Sequence, residues 1–209
     1  MIKLTGTYKA KMVEIRRRLR EFAEVLSQSE KRVFAELCFC ICTPQSKAVA
    51  CDKAVNRLEK SGVLYDGSLG KIRAGLNGVR FPNNKARYIV EARRLFTKRG
   101  GLNIKDALNR EDIEGTREWL VRNVKGLGYK EASHFLRNIG LGNNLAILDV
   151  HILKNLLRYN VIEEIRKNLS RKQYMLIEEG MRRFSKRVKI PMAELDLLFW
   201  SIETGKILK

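Results

Sequence analysis

Apolar residues recur along most of the chain at intervals of three and four, the spacing of one helix face. Val33, Phe34, Leu37, Cys38 and Ile41 follow it, and Ser29 is placed to cap the helix they predict. Thr43-Pro44 reads as a cap and a first-turn proline, predicting a helix that runs to Lys60 and stops at Ser61-Gly62. Ser68 starts a short helix, broken between Gly75 and Gly78. Pro82 opens the next, with Ala86, Ile89, Val90 and Phe96 on one side and Gly100-Gly101 at its end. Asn103 is read as the cap of a brief helix, and a further helix runs through Trp119 and Leu120. Two more begin after Gly128 and at Asp149; Ser170 caps a long basic helix and Pro191 starts the last one. Sustained period-2 alternation is missing, and the one Asn-Gly pair, Asn77-Gly78, sits between helical segments. The predicted class is all-α, with roughly ten helices joined by short connections. No internal repeat or long Pro/Ser linker divides the chain, so residues 1–209 are expected to form one domain.

Composition changes this picture in one respect. The 209 residues carry 42 Lys and Arg against 23 Asp and Glu, a formal net charge of +19. Such an excess repels itself in a compact body, and the usual use for it is a polyanion, nucleic acid above all. A basic, charge-rich composition (31% charged) also fits a thermophile. An apolar content of 44% excludes a disordered tail. The longest apolar run, Leu37 to Cys42, is far from the ~20 residues needed to cross a bilayer. The N-terminal residues lack the apolar core of a signal peptide, so the reading is a soluble cytoplasmic protein, a monomer by default, without membrane contact. Cys38, Cys40, Cys42 and Cys51 fall in a helical pattern that scatters their sulfurs. They read as small buried hydrophobes in a reducing compartment, not as a zinc site.

Chemistry concentrates in residues 120–157, LVRNVKGLGYKEASHFLRNIGLGNNLAILDVHILKNLL. Two helices flank Lys125-Gly126-Leu127-Gly128. Glycines two apart allow a tight hairpin whose amides, beside a helix N-terminus, can hold a phosphate. Lys130 falls in the first turn of the second helix, where positive charge opposes the helix dipole. That is a poor choice for stability and a suitable one for a nucleophilic amine. Asp149 ends the apolar run Leu145–Leu148 and can cap the helix from Val150 to Arg158. Taken singly, the hairpin could be an ordinary turn, the lysine a solvated one and the aspartate a plain cap.

Taken together, a helix–hairpin–helix, a lysine, and an aspartate nineteen residues further on, followed by Val-His, resemble the helix–hairpin–helix superfamily of DNA glycosylases. GLGYKEA is similar to the hairpin that grips DNA, and LDVHI to the segment with the catalytic aspartate. CTPQSKA resembles the family's helix start, whose glutamine fills the gap left by an extruded base, here Gln45. GVRFPNNKARYIVEA resembles the helix that follows. No cysteine follows Cys51, so the iron–sulfur cluster of the endonuclease III branch has no ligands. Lys130 resembles the lysine of the bifunctional glycosylase/lyases. The short chain, ending ELDLLFWSIETGKILK, looks like the compact archaeal-type 8-oxoguanine DNA glycosylase/AP lyase, the second family with that activity.

This resemblance implies a helix–hairpin–helix glycosylase fold of two packed helical lobes with the active site in the cleft between them. One lobe would span about residues 43–130 and the other 1–42 with 131–209, the hairpin lying at 120–140. It implies Lys130 and Asp149 as catalytic residues, with no metal or other cofactor. It implies Lys209 and Trp200 in recognition of the oxidised guanine. Phe81 is a further candidate to stack on the base. Gln45, Lys125, Gly126 and Gly128 are the expected DNA contacts, and Arg16 to Arg18 and the Arg182 to Lys189 run are basic candidates for the backbone. His134 and His151 read as structural. The expected partner is double-stranded DNA containing 8-oxoguanine. Two other readings stay open at this point: an oxidised-pyrimidine glycosylase/lyase of the endonuclease III type without its cluster, and a non-catalytic helix–hairpin–helix DNA-binding protein.

Overall fold

The computed structural model describes residues 2–207, with side chains from Leu4 onward. Among these residues the chain forms eleven α-helices: α1 (Ile2–Val25), α2 (Glu30–Cys42), α3 (Ala48–Lys60), α4 (Val63–Asp66), α5 (Leu69–Gly75), α6 (Pro82–Phe96), α7 (Ile113–Asn123), α8 (Tyr129–Asn138), α9 (Val150–Arg158), α10 (Arg171–Val188) and α11 (Met192–Thr204). The all-α expectation holds. The expected caps Ser29, Ser68, Asp149 and Ser170 each accept a backbone N–H two or three residues on, and Ser170 completes a capping box with Gln173.

The chain divides into two compact units, Val25–Phe135 and Met1–Glu24 with Leu136–Lys209. The division differs from the expected one at residues 25–42 and 131–135, which cluster with the middle of the chain. For the first of these the reason lies in α2. Every residue from Val33 to Cys42 is buried, so α2 is apolar all round and needs cover on all sides. It packs on α3 and α6. The four cysteines are buried, as expected, and none forms a disulfide. Burial pushes the Cys38 thiol well up and the Cys42 thiol up to about 12, so both behave as hydrophobes.

Local departures have simple causes. Thr43 does not start the next helix. Its hydroxyl donates to Cys40 O at 2.9 Å and closes α2, and α3 begins only at Ala48. An extra helical turn, α4, follows Gly62, which takes φ +75°. Asn103 caps no helix. Its side-chain amide donates to Lys98 O at 3.1 Å and Gly101 O at 2.9 Å, tying a small ribbon of β1 (Thr97–Lys98) and β2 (Gly101–Leu102). The brief helix beyond it is a 3-10 turn at Lys105–Ala107.

The terminal unit is built on α11, which packs against α9 and α10. Tyr159, Phe184 and Phe199 stack there, with the Tyr159 and Phe199 rings 5.6 Å apart and 10° from parallel. On α11, Glu194 accepts from Tyr8 and, at 3.2 Å, from Arg16, which fixes α1. Gly140, at φ +81°, lies so close to α1 that a Cβ would fall 2.6 Å from Ala23 Cα. The extended segment Leu145–Leu148 is buried and has its backbone satisfied by α10: Ala146 N donates to Glu178 at 2.7 Å, and the Tyr174 hydroxyl donates to Ala146 O at 2.6 Å. This clamp delivers the chain to Asp149.

Candidate active site

The candidate residues fall into two groups, one in each unit. In the unit Val25–Phe135, α7 ends at Asn123 and α8 begins at Tyr129, with Leu127 of the intervening hairpin buried. Gly126 takes φ +89°, and a Cβ there would sit 2.6 Å from the Tyr88 ring, so only glycine fits. Gly128 N–H donates to Glu131 Oε2 at 3.2 Å, and the other carboxylate oxygen lies 3.2 Å from Lys130 Nζ. Glu131 thus joins the hairpin to the lysine on the first turn of α8. The Lys130 side chain is about a quarter exposed, at 26%. Lys125 on the hairpin is solvated and pairs loosely with Glu91 at 3.1 Å.

Gln45 lies in the same unit but not on a helix. It is exposed on the turn between α2 and α3, at φ +56°. Phe81, just before α6, is the second left-handed non-glycine residue here, at φ +55°; it is half-exposed, and Arg80 lies over its ring at 5.4 Å. Such backbone costs about 1–2 kcal/mol per residue and persists only where neighbours enforce it. Lys85 is what sequence reasoning missed. It is 4% exposed, and Nζ donates to Cys42 O at 2.5 Å, Pro44 O at 2.8 Å and Ser46 Oγ at 2.9 Å. Desolvation lowers its pKa, while the Cys42, Cys51 and Glu131 side chains oppose that shift and Lys130 adds to it. A signal was present: Lys85 stands four residues before Ile89, on the inward face of its helix.

In the terminal unit, Asp149 caps α9. Its Oδ1 accepts from His151 N and Ile152 N, both at 2.8 Å. The His151 ring meets Trp200 edge-on, with centroids 5.9 Å apart and planes at 80°. Trp200, some fifty residues on in the sequence, therefore lies against the first turn of the helix that Asp149 caps. His134 is buried against Phe39. Lys209 lies outside the described residues. Four of the basic candidates already have carboxylate partners: Arg16 with Glu194, Arg17 and Arg18 with Glu21, and Arg182 with Glu178 and Glu179. Arg182 and Lys186 also line a cavity of about 590 Å³ with Arg20 and Asn144. A buried pair, Arg137 and Asp196 at 3.1 Å, stiffens the region where α8 meets α11.

A helix–hairpin–helix with a lysine in the following first turn, and an aspartate capping a later helix, is an arrangement that comparison with known proteins can test. The family model described as 8-oxoguanine DNA glycosylase matches residues 15–190. The chain belongs to the 8-oxoguanine DNA glycosylase family. It is 47% identical over 204 residues to the 8-oxoguanine DNA glycosylase/AP lyase of Fusobacterium nucleatum, covering 97% of this chain and 94% of that one. Against the protein of the same name from Methanocaldococcus jannaschii it is 43% identical over 202 residues, covering 93% and 91%. Its fold matches the crystal structure of the M. jannaschii 8-oxoguanine glycosylase/lyase in complex with a 15mer DNA containing 8-oxoguanine. There the TM-score is 0.89 at 38% identity, with all of both chains covered.

The described residues hold no cluster of three or more His, Cys, Asp or Glu side chains able to bind a metal ion. No helix among them is long and apolar enough to cross a membrane.

Proposed function

We propose that this protein excises 8-oxoguanine from double-stranded DNA and then cleaves the strand at the resulting abasic site, with Lys130 as nucleophile and Asp149 as its electrostatic counterpart. The single observation carrying this reading is Lys130 on the first turn of α8, directly behind the glycine hairpin, in a member of a family whose relatives are named glycosylase/AP lyase. A base inside a duplex must leave the stack before it can be cut. The hairpin amides and Lys125 hold the backbone, Gln45 fills the gap, and Trp200, Phe81 and Lys209 receive the base.

The neutral Lys130 amine attacks C1′ while the C1′–N9 bond breaks and its electron pair leaves with the base. Asp149 stabilises positive charge on the sugar and relays the amine proton. Ring opening gives a Schiff base between Nζ and C1′. Loss of a C2′ proton then expels the 3′ phosphate by β-elimination, breaking the strand 3′ to the lesion. The residues do this without a metal. The protein works in the cytoplasm, on the nucleoid.

Sodium borohydride trapping on duplexes carrying 8-oxoguanine, thymine glycol or an abasic site tests the reading, with wild type and Lys130→Gln. The expected result is a covalent adduct on 8-oxoguanine that the variant loses. An adduct confined to thymine glycol moves the substrate to oxidised pyrimidines. No adduct on any duplex, with tight binding retained, leaves a DNA-binding module without catalysis.

A further inference from the structure

The buried lysine Lys85 has no part in the chemistry above, yet it is placed where a stability argument alone would not put it. Burying an ammonium is unfavourable unless several acceptors converge on it. Here three do: one ends α2, and the other two belong to the turn that carries Gln45. Cys42 O is the last carbonyl of α2, at the negative end of that helix, where a cation is favoured. Pro44 O and Ser46 Oγ flank Gln45 on either side. The Ser46 hydroxyl oxygen also accepts Arg80 N–H at 3.0 Å, and Phe81 O accepts Lys85 N–H at 3.2 Å. One side chain therefore ties together the two exposed turns whose non-glycine residues, Gln45 and Phe81, stand at φ +56° and +55°.

We propose that Lys85 is a positioning residue for lesion extrusion: its ammonium holds the 43–46 turn in the left-handed form that presents Gln45 to the DNA stack and, through Ser46, sets that turn against Arg80-Phe81. This rests on the reading of Gln45 as the group that fills the vacated stack. A side chain entering a duplex must arrive already oriented, because a misplacement of about 1 Å at such a site can cost on the order of a hundredfold in rate. Lys85 supplies that order from beneath the turn, where the DNA does not reach. The role is specific to duplex: a lesion in single-stranded DNA is already unstacked and leaves no hole to fill.

The test is a double-mutant cycle of Lys85→Met and Gln45→Ala, read as kcat/KM for 8-oxoguanine in duplex and in single-stranded oligonucleotide. Each single change is expected to lower the duplex value by about tenfold. The double variant is expected to lose little more than either, because Lys85→Met has already released Gln45. The single-stranded value should fall only about twofold for Lys85→Met, whereas a merely structural loss would lower both substrates alike. Ser46→Ala, which keeps both carbonyl acceptors, gives a folded second variant, expected to lose about threefold on duplex and again not to add to Gln45→Ala. Additive losses, equal losses on the two substrates, or a silent Gln45→Ala would each overturn the proposal. Failure of the enzymatic reading would show differently, as no borohydride adduct from the wild-type protein.

Discussion

Asp149 Oδ1 accepts the backbone N–H of His151 at 2.8 Å, and the same oxygen accepts Ile152 N–H at 2.8 Å. One carboxylate is thus both the N-cap of α9 and the proposed stabiliser of sugar charge, and the two duties separate by mutation. Asparagine caps a helix about as well as aspartate, so Asp149→Asn should leave the melting temperature nearly unchanged. Alanine should cost about 1 kcal/mol. Both variants remove the charge. Both should lower single-turnover excision by about a hundredfold or more if Asp149 acts on the transition state. Calorimetry beside single-turnover kinetics decides it: activity that tracks stability instead of charge reduces Asp149 to a cap.

Trp200 lies edge-on to His151 beside that cap. A residue that stacks on the damaged base matters only while the base is present. Trp200→Ala should therefore lower 8-oxoguanine excision by about tenfold, the worth of one stacking contact. Borohydride trapping on a preformed abasic site should change by no more than about twofold. Equal losses on the two substrates would make Trp200 a packing residue for His151 and nothing more.

Most helices were readable in the sequence because their signals are local. Ser29, Ser68, Asp149 and Ser170 cap where side-chain chemistry alone places them, and the 3.6-residue periodicity fixes what each helix buries. What failed was decided at a distance. Thr43-Pro44 has the local look of a helix start, but Lys85, some forty residues on, holds the carbonyls of Cys42 and Pro44 and keeps the chain in a turn as far as Lys47. The ribbon at Thr97–Leu102 is too short for alternation to reveal. The assignment of α2 to the middle unit likewise depends on which helices cover it.

The site was legible in the same uneven way. Lys130 and the hairpin announce themselves because a lysine and bare glycines are poor choices on stability grounds. Asp149 was visible as a cap, and the meeting of His151 with Trp200 follows only from the packing of α9 on α11. Glu131 was overlooked since a glutamate in a first turn is ordinary. Only the folded hairpin shows it bridging Gly128 N–H and Lys130 Nζ.

The two hairpin glycines should respond differently to the same substitution. Gly126→Ala meets both a left-handed backbone, φ +89°, and the Tyr88 ring at 2.6 Å. It should destabilise by about 2 kcal/mol or more and weaken binding to any duplex, lesion or not. At Gly128 a Cβ would meet only the flexible end of Glu131, at 3.3 Å. Gly128→Ala should stay within about 1 kcal/mol of wild type. Thermal melts and fluorescence anisotropy on undamaged DNA check both; matching behaviour would mean the hairpin is not held as tightly as its geometry requires.

The Arg137–Asp196 pair makes a prediction about pH. Asp196 is pushed up to about 7 from 3.8, first by desolvation, with Arg137 pulling it down and Asp149 pushing it up. Its Oδ1 is buried and accepts no hydrogen bond among the described residues. Between about pH 4 and pH 7 the folded state therefore keeps a proton that the unfolded state has released. Stability from this group is full below about pH 4 and falls as the pH rises to about 7, the reverse of an exposed, well-paired carboxylate. Asp196→Asn, a neutral isostere at every pH, should gain on wild type as the pH rises from about 4 to about 7, so that its advantage near pH 8 exceeds that near pH 5 by on the order of a few kcal/mol. Asp196→Ala should be worse than wild type at both, since it takes an acceptor from the buried Arg137 guanidinium and leaves a void. Melting temperatures of the three proteins at pH 5 and pH 8 read the sign directly. If Asp196→Asn instead loses ground at pH 8, attraction to Arg137 outweighs desolvation and the pair stays ionised throughout.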